Sequence, residues 1–83
     1  MKPEQALAYI FDNLGLGVDP FTDSALILDG GVTAGGQIDS LMALQIAVEL
    51  EDIYGVDILP EPFHGMSTVG QVRLEIVRQT GKS

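Results

Sequence analysis

The 83-residue chain contains no cysteine. That excludes a disulfide framework and any thiolate metal site. It also means that thioester chemistry here would need sulfur from a group the chain does not itself supply. Basic residues are scarce too: four lysines and arginines stand against twelve acids, for a net charge of −8. Such a surface repels phosphate backbones and anionic lipid headgroups, so nucleic acid and anionic membranes are excluded as partners and basic protein surfaces are favoured. No apolar run approaches the roughly 20 residues of a spanning helix. Met1-Lys2-Pro3-Glu4 passes straight into an amphipathic pattern and not into a secretory leader. A cytoplasmic location is expected. The single histidine, His64, lies in a segment flanked by proline and glycine with no metal cluster around it.

What is present reads as one small helical domain, residues 1–83, near the lower size limit for a self-sufficient core and expected to be a monomer. A first helix is predicted from Pro3 to Leu14. Pro3 suits the first helical position, Glu4 the first turn, and Leu7, Ile10, Phe11 and Leu14 recur at helical spacing. Gly15 or Gly17 should end it. A long loop, Gly15–Gln37, follows. Its apolar patch Ala25-Leu26-Ile27-Leu28 predicts a short helical turn near Ser24–Leu28 that pins the loop to the core. A second helix is predicted over Ser40–Tyr54. Its residues Ala43, Ile46, Ala47, Leu50, Ile53 and Tyr54 share one face, assigned to the core. Leu41, Leu44 and Val48 form another stripe, bordered by Gln45, Glu51 and Asp52. Pro60-Glu61-Pro62 breaks the chain, and Phe63–Met66 should make a short turn or helix. A last helix should start with Ser67 or Thr68 as cap and run to about Gln79, with Val69, Val72, Ile76 and Val77 inward and Arg73 and Arg78 in its later part. The fold class is all-α: a small four-helix bundle, three main helices plus one short helix, with a long first loop.

The most informative segment is Gly35-Gly36-Gln37-Ile38-Asp39-Ser40-Leu41-Met42. It places a serine hydroxyl at the start of a helix, immediately after an aspartate able to cap the free N–H groups of the first turn. The positive end of the helix dipole would favour an anion bonded to Ser40.

Asp39-Ser40-Leu41 with this glycine-rich lead-in, followed by a helix ending Glu49-Leu50-Glu51-Asp52-Ile53-Tyr54-Gly55, resembles the acyl carrier and peptidyl carrier protein family over nearly the whole chain. The resemblance implies a 4′-phosphopantetheine arm attached to Ser40, with Asp39 and Leu41 completing the attachment motif. The implied function is a stand-alone carrier, not itself an enzyme, that holds acyl or aminoacyl groups as thioesters. The implied partners are a phosphopantetheinyl transferase and acyl-transfer, ligase or synthase enzymes. The docking surface is expected to comprise Leu41, Met42, Leu44, Gln45, Val48, Glu51 and Asp52. Fatty-acid carriers usually have acids two and five residues after the serine, where this chain has Met42 and Gln45. That departure points to polyketide, nonribosomal peptide or other specialised acyl metabolism in preference to housekeeping fatty-acid synthesis. The stretch Asp29–Gly36 also looks longer than in typical fatty-acid carriers.

Competing readings are weaker. An acidic helical interaction module without prosthetic group explains the charge and the apolar stripe, but not the exposed serine. A serine hydrolase would want a base beside the serine and an oxyanion hole; the pattern Gly-x-Ser-x-Gly is absent, since Ile38 stands two before Ser40. Asp23-Ser24 precedes no long helix and reads as turn and capping chemistry. Asp19-Pro20-Phe21-Thr22-Asp23 lacks the spacing of a calcium loop. Gly15-Leu16-Gly17 and Gly30-Gly31 lack the Lys-Ser/Thr ending of a phosphate loop.

Overall fold

A computed structural model describes residues 1–27 and 37–83. It contains three helices: α1, Pro3–Leu14; α2, Ser40–Tyr54; and α3, Val69–Thr80. A 3₁₀ turn, Glu61–Phe63, begins two residues before the expected Phe63–Met66 and falls on the prolines expected only to break the chain, with His64 and Gly65 following as a turn; no fourth α-helix is formed among the described residues. These residues form no strand; Leu26 and Thr68 make one isolated antiparallel bridge.

Each helix begins and ends for a local reason. Proline opens α1 with φ already helical. The Lys2 side chain offers no acceptor, and the link at this end is the Lys2 N–H donated to Gln5 Oε1 at 3.0 Å. Gly15 ends the helix at φ 71°, its N–H on the Asp12 carbonyl and the Leu16 N–H on that of Phe11. Glycine adopts this left-handed conformation without a Cβ penalty. In α3 the Thr68 hydroxyl accepts from the Gln71 N–H at 3.3 Å, and Gln71 Oε1 accepts from the Thr68 N–H at 3.1 Å. This reciprocal pair is a capping box.

The core gathers Leu7, Ile10 and Phe11 from α1, Met42, Ala43, Ile46, Ala47 and Leu50 from α2, and Val69, Val72 and Ile76 from α3. Ile27, Ile38, Ile58 and Phe63 reach it from the connecting segments. Ile53 and Tyr54 pack on it half-buried, as does Leu14, and Val77 is half-buried. Met42 corrects the expected facing of α2. Placed with the partner-facing residues by sequence, it is 2% exposed. At about 100° per residue it lies only about 40° from Ile46, inside a buried arc wide enough to take both.

Residues 65–70 act as the tie between the loop and the bundle. The Ile27 N–H donates to the Ser67 carbonyl at 2.9 Å, the Val69 N–H to Ala25 at 3.0 Å, and the Gly70 N–H to Asp23 at 2.9 Å. Arg73 adds two hydrogen bonds to the Asp23 carboxylate, at 3.1 and 2.8 Å. Asp23 and Ser24 lie in a turn, as expected, closed by the Ala25 N–H on the Thr22 carbonyl at 3.0 Å, and the Asp23 side chain bridges to α3 where capping was expected. This turn stands before the expected Ser24–Leu28 turn; Leu26 makes the bridge with Thr68 and Ile27 is buried, so the loop is pinned to the core. The remainder of the predicted turn, Leu28, and the stretch Asp29–Gly36 lie outside the described residues. Asp19 closes a side-chain turn instead of a calcium loop, accepting from the Phe21 N–H at 2.9 Å and the Thr22 hydroxyl at 2.7 Å. Those bonds hold its carboxyl below the usual range, the threonine contact foremost.

Candidate functional site at the start of helix α2

The site is built outward from Ile38. Its side chain is buried. Its N–H donates to the Met66 carbonyl at 2.8 Å, and its own carbonyl accepts from the Gly65 N–H at 2.9 Å. This pair fixes the entry to α2 against the segment after the 3₁₀ turn. Asp39 follows in extended conformation, φ −85° and ψ 178°, and its Oδ1 accepts from the Met42 N–H at 2.8 Å. Its carbonyl accepts from the Ala43 N–H at 2.9 Å. Ser40 is then the first helical residue, and it is exposed. Asp39 thus acts as the helix cap, as its place in the sequence predicts, and Ser40 beside it stays exposed. The N–H groups of Ser40 and Leu41 have no hydrogen-bond partner among the described residues.

Ser40 opens onto a cleft of about 310 Å³, lined by Ala43 and Leu44 from α2 and by Pro60, Glu61 and His64 from the 3₁₀ turn and its flanks. From the sequence, His64 reads as a surface or turn residue, and it lies in a turn. It is exposed, and it stands on the opposite wall of the cleft from Ser40. Local pattern carries no sign of that pairing, because it arises from the Ile38 backbone bonds to Gly65 and Met66. A hydrolytic triad requires hydroxyl, imidazole and an orienting acid in hydrogen-bond succession. Among the described residues no hydrogen bond joins Ser40 to His64.

Beyond the cleft, α2 carries an exposed apolar stripe: Leu41 is 65% exposed, Leu44 51% and Val48 48%. Gln45 and Asp52 are exposed beside it. Glu51 departs from the expected docking set. It is half-buried, and its Oε2 accepts from the Ile58 N–H at 3.0 Å, so its carboxylate anchors the connection after α2. Glu49 accepts from Asn13 Nδ2 at 3.2 Å, linking α2 to α1. Of the expected docking residues, Leu41, Leu44, Gln45, Val48 and Asp52 form the exposed face, whereas Met42 and Glu51 serve the fold.

The electrostatics are one-sided. No lysine or arginine stands between Lys2 and Arg73 in the sequence. Two of the chain's four basic residues are bound within the fold: Arg73 pairs with Asp23, and Arg78 with Glu75. Hydrogen bonds from Arg73 hold the Asp23 carboxyl below the usual range, and those from Arg78 do the same for the mostly buried Glu75. The Tyr54 hydroxyl is buried without a partner among the described residues, and burial first, then the charge of Glu4, pushes its pKa up. No group of three potential metal ligands occurs among the described residues, and no helix there is long and apolar enough to cross a membrane. No protein family, curated protein or solved structure matches the chain.

Proposed function

We propose that this chain is an acyl or peptidyl carrier domain, with Ser40 as the attachment point for 4′-phosphopantetheine. The observation that carries the reading is the presentation of Ser40: an exposed serine as the first residue of α2, its helix end already capped by Asp39. The residues present fit such a group. The hydroxyl borders an open cleft, and the unpartnered N–H groups and the helix dipole favour a phosphodiester there. When attached, the arm would supply the thiol that a chain without cysteine lacks.

The roles of the chain's own residues follow. Asp39 orders the first turn and keeps Ser40 accessible to a phosphopantetheinyl transferase. Leu41, Leu44 and Val48 offer partner enzymes an apolar strip of modest size. Asp52 and the surrounding negative charge steer basic partner surfaces, which suits fast, weak docking. In this reading the chain is not an enzyme, works in the cytoplasm as a monomer, and folds as a carrier-type four-helix bundle with the Glu61–Phe63 turn in the place of the short helix. Specialised acyl metabolism is preferred to housekeeping fatty-acid synthesis. With Met42 in the core, that preference rests on the neutral Gln45.

The second reading, an acidic interaction module with no prosthetic group, is favoured by the same apolar stripe. Intact mass separates the two. After co-expression with a broad-specificity phosphopantetheinyl transferase, the chain should gain the mass of one phosphopantetheine. Ser40→Ala should gain none and keep its far-ultraviolet circular dichroism, because an exposed first-turn serine adds little packing. Ser24→Ala should load like the wild type. An unmodified wild type would favour the interaction module, and loading that survives Ser40→Ala would remove Ser40 from the reading.

A further inference from the structure

One wall of the cleft is the start of α2, with Ser40, Ala43 and Leu44; the other is built by Pro60, Glu61 and His64. The two walls are tied together by the paired backbone bonds of Ile38 with Gly65 and Met66, at 2.9 and 2.8 Å. The residue next to His64 is therefore bonded to the residue two before Ser40. We infer that His64 is a positioning residue that contacts the phosphodiester carried on Ser40, an inference that rests on the carrier reading above.

Charge supplies the argument. A phosphodiester on Ser40 adds a fixed negative charge to a site already flanked by two carboxylates, Asp39 at the cap of α2 and Glu61 on the facing wall. Between Lys2 and Arg73 the chain holds no lysine or arginine, and His64 is its only histidine. Arg73 and Arg78 are committed to Asp23 and Glu75. His64 is thus the one group lining the cleft that can become positive. In either protonation state its ring also offers an N–H donor. Glu61 faces the same cleft and competes for the imidazolium, and Asp39 already accepts from the Met42 N–H. His64 holds the base of the arm over the cleft.

Phosphorus NMR of the loaded protein tests this directly. A phosphodiester does not change charge between about pH 5 and 8, whereas histidine does. In the loaded wild type, the phosphorus line should move with pH across that range. In loaded His64→Gln it should stay flat. In loaded His64→Lys, which remains charged throughout, it should be displaced and flat. A flat line in the loaded wild type, or an unchanged movement in His64→Gln, would overturn the contact while leaving Ser40 attachment intact. A chain that shows neither mass gain nor phosphorus line would instead bring down the carrier reading, and this inference with it.

Discussion

Replacing Met42 with aspartate sets two effects of opposite sign against each other. Met42 is the third residue of α2. An acid this close to a helix N-terminus is ordinarily favourable by about 0.3–1 kcal/mol. The Met42 side chain, however, is 2% exposed and belongs to the core cluster with Ile46 and Leu50. Truncating a buried methionine costs about 2–5 kcal/mol. A carboxylate left there without a partner adds a further penalty, whether it stays charged or takes up a proton. Truncation alone should therefore outweigh the dipole by at least about 1 kcal/mol, and the carboxylate penalty widens that margin to a large share of the roughly 5–15 kcal/mol that holds a domain together. Gln45→Glu is the matched control. It adds the same charge at an exposed position on the next turn, where surface substitutions stay within about 0.5 kcal/mol. Urea unfolding at neutral pH, followed by circular dichroism, should show a wild-type transition for Gln45→Glu and a transition shifted far down or lost for Met42→Asp. A Met42→Asp protein as stable as the wild type would mean that α2 turns this position outward, and the facing described above would be wrong. The outcome also bears on function. If Met42 is core, an acid two residues after Ser40 is not a surface feature available to this chain.

Two further perturbations probe the supports of the site. Gly70→Ala would normally favour a helix by up to about 1 kcal/mol. Here the new Cβ would meet Asp23 at 3.0 Å from its Cβ and 3.1 Å from its carbonyl oxygen, both held by the Gly70 and Arg73 bonds. Overpacking of this kind costs about 1–3 kcal/mol, so the variant should melt lower than the wild type, and a higher melting temperature would refute the rigidity of that tie. Glu75 gives a pH test. Its folded-state carboxyl lies below the ordinary value of 4.5 because Arg78 and then Gln79 bond the charged form. The stability it contributes is thus present above that value and lost as pH falls through the lower folded one. With Arg78 largely exposed, the contribution should stay within about 1 kcal/mol. Wild type and Glu75→Gln should differ in urea midpoint above about pH 4.5 and converge below it. A difference independent of pH would show that the pair adds nothing through charge.

The bounds of all three helices were legible because each is set by residues next to it in the chain. Pro3 and Gly15 frame α1, Asp39 and Gly55 frame α2, and Thr68 and Gly81 frame α3. The exposure of Ser40 was legible for the same reason. The faces of α2 were only partly so. Helical phase placed Leu41, Leu44 and Val48 outward correctly, but the width of the buried arc depends on what packs against it, and that arc took in Met42. Contacts between distant residues were not legible at all. Asp23 and Arg73 are 50 residues apart, and each looked complete as a turn residue and a helix-end base. That His64 and Ser40 line one cleft follows from two backbone hydrogen bonds of Ile38, and backbone groups are identical in every residue type. Glu51 reads as a solvated acid until the Ile58 N–H is found beneath it.

The anchoring of the loop has a consequence for how such a chain can change. Ile27 is fastened to the carbonyl of Ser67, and Ile38 to that of the adjacent Met66. The two ends of the intervening span are thus moored side by side, on adjacent residues of one segment. Closing a span between fixed points costs entropy that grows only with the logarithm of its length, about 0.6 kcal/mol for each doubling. Insertions and deletions between the moorings should therefore cost little and leave the bonds that set the entry to Ser40 in place.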